Sequence, residues 1–126
     1  MSITVLGIDL AKHVFQLHGI DAHGRTVLAR TVSRSRLVDE VVRHRPDVVA
    51  FEAGGGAHHW ARRFKALGLA VKMISPQYVR PFRRGPSKDD VADAAAIVEA
   101  ALRPSMPTVA VKEVWQQDLQ AMHRIR

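Results

Sequence analysis

The sequence predicts an α/β domain built on a mixed five-stranded sheet flanked by helices. Three strand-like segments come first, at 3–9, 13–20 and 25–32, and the turn sequence at 21–24 joins the second to the third. Segments with helical and strand periodicity alternate after them. A meander followed by alternating helices and strands implies that hairpin strands pair antiparallel and crossover strands pair parallel in one sheet.

Glycine, proline and apolar spacing predict the later elements. Ser33 or Ser35 is expected to cap a helix that ends before Pro46, and Gly68 is expected to end a later one. The remaining expectations are strands at 47–51 and 69–74, helices at 58–67, 78–82 and 87–102, and a helix from 113 onward. The last helix shows no stop signal before Arg126, which predicts that a further domain follows in a longer parent protein.

Composition excludes several classes of protein. A chain of 126 residues with 47% hydrophobic residues suits one globular domain. The absence of cysteine excludes disulfide scaffolds, thiolate zinc sites and cysteine nucleophiles. The apolar runs are too short to span a bilayer, and the N-terminus does not resemble a signal peptide.

The charge balance points toward an anionic partner. The formal net charge is +7, and fourteen of the nineteen basic residues are arginine. Arginine suits bidentate phosphate contacts, so nucleic-acid binding is one interpretation. A basic surface without a binding role is the other, and charge alone does not choose between them.

Four carboxylates stand out by position. Asp9 ends the first strand, Glu52 ends the fourth, and Asp90 and Asp93 lie three residues apart on one helix face. The first two meet if the fourth strand pairs beside the first. Such a cluster of hard oxygen ligands is what Mg²⁺ requires, and two ions can serve phosphodiester chemistry.

Each carboxylate also has a purely structural explanation. Asp9 could pair with Lys12, and Glu52 could cap the helix after the glycine loop. Asp90 could complete a capping box with the serine three residues before it, and Asp93 could interact with the helix dipole. These explanations do not account for the convergence of all four residues.

Three motifs carry a resemblance to a known family. They are Gly7-Ile8-Asp9-Leu10-Ala11-Lys12, Phe51-Glu52-Ala53-Gly54-Gly55 and Lys88-Asp89-Asp90-Val91-Ala92-Asp93-Ala94. Their order and spacing are similar to those of the DEDD transposases of the IS110 insertion-sequence family. The segment from 103 to 124 also resembles that family, so the similarity covers nearly the whole chain.

The resemblance implies a fold, a metal site and an activity. Residues 1–103 would form a RuvC-like, ribonuclease-H-like catalytic domain for Mg²⁺-dependent DNA strand cleavage and transfer during transposition. Asp9, Glu52, Asp90 and Asp93 would bind Mg²⁺, with Mn²⁺ as an alternative. Residues 104–126 would be an exit segment and the start of a helix leading to a coiled coil and a C-terminal domain with a catalytic serine.

The resemblance also implies partners and a location. The expected partners are DNA, a structured guide (bridge) RNA, the serine-bearing C-terminal domain and further copies of the full-length protein, without a membrane. The location would be the cytoplasm of a bacterium or archaeon, at the nucleoid. The residues expected to bind nucleic acid are Lys12, Lys88, Arg80, Arg83, Arg84, Arg62 and Arg63.

Alternative functions stay open at this point. They are a nucleic-acid-binding and assembly module without activity of its own, and a stand-alone nuclease similar to Holliday-junction resolvases. An actin-like ATPase is disfavoured because no phosphate-binding turn follows Asp9. His58 and His59 diverge on a helix and so do not predict a zinc pair, while Trp60 is expected in the core.

Overall fold

The computed structural model describes residues 2–11, 13–84 and 90–113. Five strands form one sheet in the order β3-β2-β1-β4-β5. The strands are β1 Val5–Asp9, β2 Val14–Ile20, β3 Thr26–Ser33, β4 Val48–Glu52 and β5 Ala70–Ile74. The β1–β2 and β2–β3 pairs are antiparallel, whereas β1–β4 and β4–β5 are parallel. The predicted mixed sheet is therefore confirmed, and β4 lies beside β1, which is the condition under which Asp9 and Glu52 meet.

The helices connect the strands and cover both faces of the sheet. They are α1 Leu37–His44, α2 Ala57–Ala66, α3 Pro76–Val79 and α4 Asp90–Ala101. A short 3₁₀ turn precedes α1 at Arg34–Arg36, and another follows α3 at Arg80–Phe82. The helix predicted from residue 113 onward lies outside the described residues, as does the predicted start of α4 at 87–89.

The predicted serine cap is wrong in detail. Ser33 precedes the 3₁₀ turn, but its side chain makes no capping hydrogen bond. Its hydroxyl lies 3.3 Å from that of Ser35 instead. The residue before α1 itself is Arg36, so the 3₁₀ turn separates the serines from the helix.

The hairpin turn forms as predicted. The Asp21 carboxylate accepts hydrogen bonds from the backbone N–H groups of His23 and Arg25, both at 2.9 Å. Both hydrogen bonds lower the pKa of Asp21, and the one from Arg25 has the larger effect. Gly24 completes the turn at φ +80°, a conformation that favours glycine.

Strand alternation divides the core between the two faces of the sheet. Leu6 and Ile8 of β1 pack on the face covered by α1 and α2, together with the aromatic residues Phe15, Phe51, Trp60 and Phe64. Val5 packs on the opposite face, against the apolar side of α4. Because Asp9 is four residues after Val5, it lies on the α4 face as well.

Helix α4 lies unusually close to β1. A Cβ atom on Gly7 would lie 2.7 Å from the carbonyl oxygen of Ala94, closer than real Cβ atoms come. Lys72 of β5 fixes the far end of the helix by donating to the carbonyl oxygen of Ala101 at 3.2 Å. The helix is thus held near its start against β1, which carries Asp9, and at its far end against β5.

The segment after α4 returns to the edge of the sheet. Val109 forms an antiparallel bridge with Met73 of β5. Further along, Arg62 donates to the carbonyl oxygen of Lys112 at 2.6 Å, and the N–H of Lys112 donates to Nδ1 of His58 at 3.1 Å. The described part of the predicted exit segment is therefore attached to the domain. No helix among the described residues is long and apolar enough to cross a membrane.

Candidate active site

Asp9 and Glu52 line one cleft at the ends of adjacent parallel strands. In the β1–β4 register Gly7 lies opposite Ala50 and Ile8 opposite Phe51, which brings the next residues of both strands to the same edge. The cleft has a volume of about 590 Å³. Asp9 and Glu52 are both half-buried there.

A glycine loop forms one wall of this cleft. Gly54 has a φ of +141° and Gly55 a φ of +44°, conformations that L side chains rarely adopt. Both lie directly after β4, where the chain turns from the strand into α2. Gly56 occupies the N-cap position of α2, so the structural explanation in which Glu52 caps that helix is wrong.

Asp93 reaches the same region from α4. Its side chain is buried, with 4% of the residue exposed. Arg83 connects it to Glu52: Nη2 of Arg83 lies 2.8 Å from Oε2 of Glu52, and Nε lies 3.1 Å from Oδ1 of Asp93. One guanidinium thus lies between two of the predicted metal ligands.

The Arg83 contacts explain how two carboxylates are tolerated side by side. Burying Asp93 without a counter-charge would cost several kcal/mol, and a second carboxylate nearby would add repulsion. Among the residues whose side chains are described, no group of three acidic or histidine residues is placed to hold a metal ion. The side chain of Asp90, the fourth predicted ligand, lies outside that set.

Gln16 and His18 of β2 lie beside Asp9 and Gly7 of β1 in the sheet. Gln16 pairs with Asp9 across the β1–β2 ladder, is 8% exposed and accepts a hydrogen bond from the Thr31 hydroxyl at 2.6 Å. His18 lies opposite Gly7 in the same ladder. Burial lowers the pKa of His18, and the charge of Glu99 opposes that shift. Sequence reasoning did not single out either residue.

The predicted basic residues separate in the structure. Arg84 pairs with Glu99 at 3.0 Å on the surface, and Arg80 is exposed in the 3₁₀ turn. Arg62 binds the Lys112 carbonyl, while Arg63 lies over the ring of Trp60. Lys12 and Lys88 lie outside the described residues. Their roles toward nucleic acid, and that of Arg83, stay predictions.

Trp60 is a core residue, as expected. Its ring also contacts Arg34 and His59, two residues beside the cleft that the sequence did not predict. The residue is 3% exposed and packs edge-on against Phe15. Arg34 lies 5.2 Å from the ring centroid, and the His59 ring is T-shaped against it. Arg34 and His59 also line the Asp9–Glu52 cleft, and no sequence motif connects them.

Sequence comparison identifies the family. The model of the IS110-type DEDD family, described as transposase, matches residues 6–126. The chain belongs to the IS110 family of DEDD transposases. The three motifs of the sequence analysis thus mark a true family relationship, and the expected identification is confirmed.

Curated relatives support the same conclusion. A probable family 20 transposase of Pseudomonas aeruginosa is 48% identical over 100% of this chain, which covers 37% of that protein. The transposase for insertion sequence element IS1111A of Coxiella burnetii is 47% identical over 98% of the chain, covering 34% of that protein. This chain therefore spans about a third of the length of these relatives.

Solved structures confirm the predicted RuvC-like fold. A Thermus thermophilus RuvC structure superposes with a TM-score of 0.61 at 17% identity, covering 83% of this chain and 99% of that one. T. thermophilus RuvC in complex with a Holliday junction substrate gives 0.65 at 16% identity, with coverage of 85% and 99%. At this identity the likeness establishes the fold of the transposase domain.

Proposed function

We propose that this chain is the metal-dependent DNA-processing domain of an IS110-type transposase. The observation that carries the proposal is the arrangement of three carboxylates from separate elements. Asp9 and Glu52 share a cleft, and Glu52 and Asp93 share a cation, the Arg83 guanidinium. Placing acidic groups together costs free energy, which a catalytic role accounts for better than a role in folding.

The donor set suits Mg²⁺, with Mn²⁺ as an alternative. All three side chains offer carboxylate oxygens, the ligands that hard divalent ions prefer. The Arg83 guanidinium shows that the position between Glu52 and Asp93 accepts a positive charge. The three do not form a metal-binding group as they stand, with Arg83 between Glu52 and Asp93. Asp9, Glu52 and Asp93 would hold the ion once Arg83 has left that position, with Asp90 as a further ligand. When bound, the ion supplies Lewis-acid polarisation of a phosphate ester.

The protein's own groups have separate tasks in this proposal. The carboxylates would hold the ion, the glycine loop lines the cleft, and Gln16 lies opposite Asp9 on the neighbouring strand. Arg83, released from the carboxylates, would become a phosphate contact, which is the role the sequence predicted for it. In the strand-cleavage step an oxygen nucleophile bonds to phosphorus while the bond from phosphorus to the leaving deoxyribose oxygen breaks. The family resemblance assigns that nucleophile to a serine in a further domain.

DNA, and a structured guide RNA, are the proposed partners of the full-length protein. The net charge of +7 supports binding to a phosphate backbone. The complex of the RuvC relative with a Holliday junction substrate supports DNA as the substrate class for this fold. We place residues 1–103 in the catalytic unit and 104–126 in the connection to the rest of the protein, which acts in the cytoplasm at the nucleoid as assemblies of several copies.

Metal binding tests the proposal directly. Millimolar Mg²⁺ or Mn²⁺ should raise the melting temperature of the chain, because a ligand bound to the native state stabilises it. Asp9→Asn and Glu52→Gln should abolish the rise. Asp39→Asn, at an exposed position of α1, is the matched control and should keep it. A rise that is absent in the wild type, or unchanged in Asp9→Asn, would refute the metal site.

A binding module without activity is the second candidate. The pairing of Arg83 with both carboxylates favours it, because that pairing satisfies the acidic residues without a metal ion. Supercoiled DNA with Mn²⁺ separates the two candidates when the chain is tested alone and together with the C-terminal part of a relative. Nicking that depends on Asp9 supports the enzyme, whereas DNA binding without nicking under either condition supports the module.

A further inference from the structure

A second cleft adjoins the one lined by Asp9 and Glu52. It has a volume of about 480 Å³ and shares three lining side chains with the first. We call it the basic cleft. Its lining residues are Arg34, His59 and Trp60, which are shared, and His13, Ser33, Ser35 and Arg63.

The lining of the basic cleft is positively charged. It contains two arginines, two histidines and two serine hydroxyls, and none of its described lining residues is acidic. The Arg63 guanidinium lies 5.3 Å from the centroid of the Trp60 ring, and that of Arg34 lies 5.2 Å from it. A guanidinium that stacks with its face donates hydrogen bonds from its edges, so stacking is compatible with phosphate binding.

The aromatic platform under these arginines is rigid. Trp60 is 3% exposed, and its ring stacks on that of Phe64 with centroids 6.0 Å apart. Phe15 of the central sheet contacts it edge-on at 5.5 Å. A fixed ring limits the positions that Arg34 and Arg63 adopt, which reduces the entropy lost when they bind an anion.

The electrostatic potential in the basic cleft supports an anionic ligand. Burial is the largest cause that lowers the pKa of His59. The charges of Arg63, Arg62 and Arg34 lower it further, because a proton there adds to existing positive charge. The hydroxyls of Ser33 and Ser35 lie 3.3 Å apart at the same opening and provide neutral donors. Charged and neutral donors around one opening are the groups that contact phosphate oxygens in nucleic-acid complexes.

We propose that the basic cleft binds a backbone phosphate of the DNA strand whose neighbouring phosphate lies at Asp9 and Glu52. The two clefts share a wall, formed by Arg34, His59 and Trp60. One DNA strand could therefore place neighbouring phosphates in the two clefts. This inference rests on the proposed function, since it takes the carboxylate cleft as the place of the scissile phosphate. Arg34 and Arg63 are then positioning residues that set the register of the strand.

DNA binding in the absence of metal tests the basic cleft separately from the carboxylates. A labelled DNA oligonucleotide is titrated with the chain in EDTA over a series of salt concentrations. Arg63→Gln should weaken binding at least threefold at low salt and reduce the slope of log K against log salt by about one, the value for one lost phosphate contact. Arg43→Gln removes the same charge from α1, where the side chain is 70% exposed, and is the matched control. Equal effects of both substitutions would overturn the proposal.

A second variant separates binding from the packing of Trp60. Arg63→Lys keeps the charge, so it should preserve most of the salt slope even where its melting temperature falls with that of Arg63→Gln. The assigned Trp60 indole resonance, observed in a Trp115→Phe background, should shift on addition of DNA. Loss of the slope in Arg63→Lys equal to that in Arg63→Gln, or an unmoved indole resonance, would overturn the proposal.

Inorganic phosphate distinguishes the source of the anion. At the phosphate concentration that the oligonucleotide supplies, inorganic phosphate should leave the Trp60 resonance unmoved, because one isolated anion lacks the contacts of the adjoining strand. An equal shift with inorganic phosphate would assign the cleft to a free anion and overturn the DNA assignment. If magnesium does not raise the melting temperature, the proposed metal site is refuted. The measurements in EDTA still test the basic cleft independently.

Discussion

A Cβ atom on Gly7 would lie 2.6 Å from Cγ2 of Val98. The absence of a side chain at this position therefore lets α4 lie directly on the central strand. Asp9 is two residues further along β1, and Asp93 lies near the start of α4. The spacing between strand and helix thus sets the distance between these two carboxylates, so Gly7 affects the candidate active site through packing.

Gly7→Ala should therefore destabilise the domain and disturb the proposed metal site. An added methyl group forces α4 away from β1, with an expected cost of about 1–3 kcal/mol in the free energy of unfolding. Urea unfolding measures that loss, and the magnesium-induced rise in melting temperature should shrink with it. Gly56→Ala is the matched control, because the nearest atom to its new Cβ is 4.0 Å away on Trp60. Equal effects of the two substitutions would contradict the packing argument.

Arg83→Gln should make the chain less stable without metal and more responsive to it. Removing the guanidinium leaves the buried Asp93 without its ion pair, which should lower the free energy of unfolding by about 1–3 kcal/mol in EDTA. The same removal ends competition for Glu52 and Asp93. If the competition is worth about 1.4 kcal/mol, the apparent affinity for Mg²⁺ rises about tenfold, as measured by calorimetric titration.

Arg84→Gln is the control for that substitution. Arg84 is the next residue, carries the same charge and pairs with Glu99 at a side-chain exposure of 81%. Surface pairs of this kind contribute little to stability, so the variant should match the wild type in both measurements. A magnesium affinity of Arg83→Gln equal to or below that of Arg84→Gln would show that Arg83 does not compete with the metal.

His18 should make the domain less stable in acid. Burial lowers its pKa in the folded state below the ordinary value of 6.5, so the unfolded chain binds the proton more readily. The free energy of unfolding therefore rises with pH through this group. The contribution is complete above pH 6.5 and is lost as the pH falls from 6.5 through the lower pKa of the native state.

Urea unfolding of the wild type and of His18→Gln at several pH values measures this contribution. The wild type should lose more stability than the variant on acidification below pH 6.5, because the substitution removes the titrating group. The Thr26 hydroxyl lies 3.3 Å from Nε2 of His18, and glutamine keeps a polar partner for it. Parallel pH profiles of the two proteins would show that another group is responsible.

Arg62→Gln should release the segment after α4 from the sheet. The hydrogen bond from Arg62 to the Lys112 carbonyl is charged and partly buried, and such bonds contribute about 1.5–3 kcal/mol. The amide of Val109, which donates to Met73, should then exchange with solvent faster, while amides of β1 should keep their rates. Arg63→Gln, one residue further along the helix, is the control for exchange at Val109. Unchanged exchange in Arg62→Gln would show that Arg62 does not hold this segment to the sheet.

The sequence predicted the sheet well because its signals are local. Alternation in β2 and β3, the turn at Asp21 and the apolar runs of β1 and β4 each depend on neighbouring residues only. The rule that crossover strands pair parallel predicted the orientation of β4, whereas its place beside β1 was only a condition in the sequence analysis. The structure supplies that strand order, and the position of each residue at a strand end then brings Asp9 beside Glu52.

The basic residues were harder to predict because their placement depends on tertiary contacts. Arg83 and Arg84 are neighbours in sequence, yet one lies between the site's carboxylates and the other pairs with Glu99 on the surface. Arg34 and Arg63 are far apart in sequence, yet both lie over Trp60. Neither relationship leaves a periodic pattern. The docking of α4 and α2 on the sheet decides both.

Because Asp93 lies on α4, the candidate site is completed late in synthesis and folding of the chain. The strands that carry Asp9 and Glu52 are synthesised early, but Asp93 and the helix that holds it emerge from the ribosome near the end of the described chain. Contacts this distant in sequence form late, because the intervening chain must first be closed into a loop. A nascent chain that still lacks α4 exposes the second face of its sheet and lacks part of the proposed metal site. On the proposed function, competence for DNA processing is thereby delayed until α4 has been made.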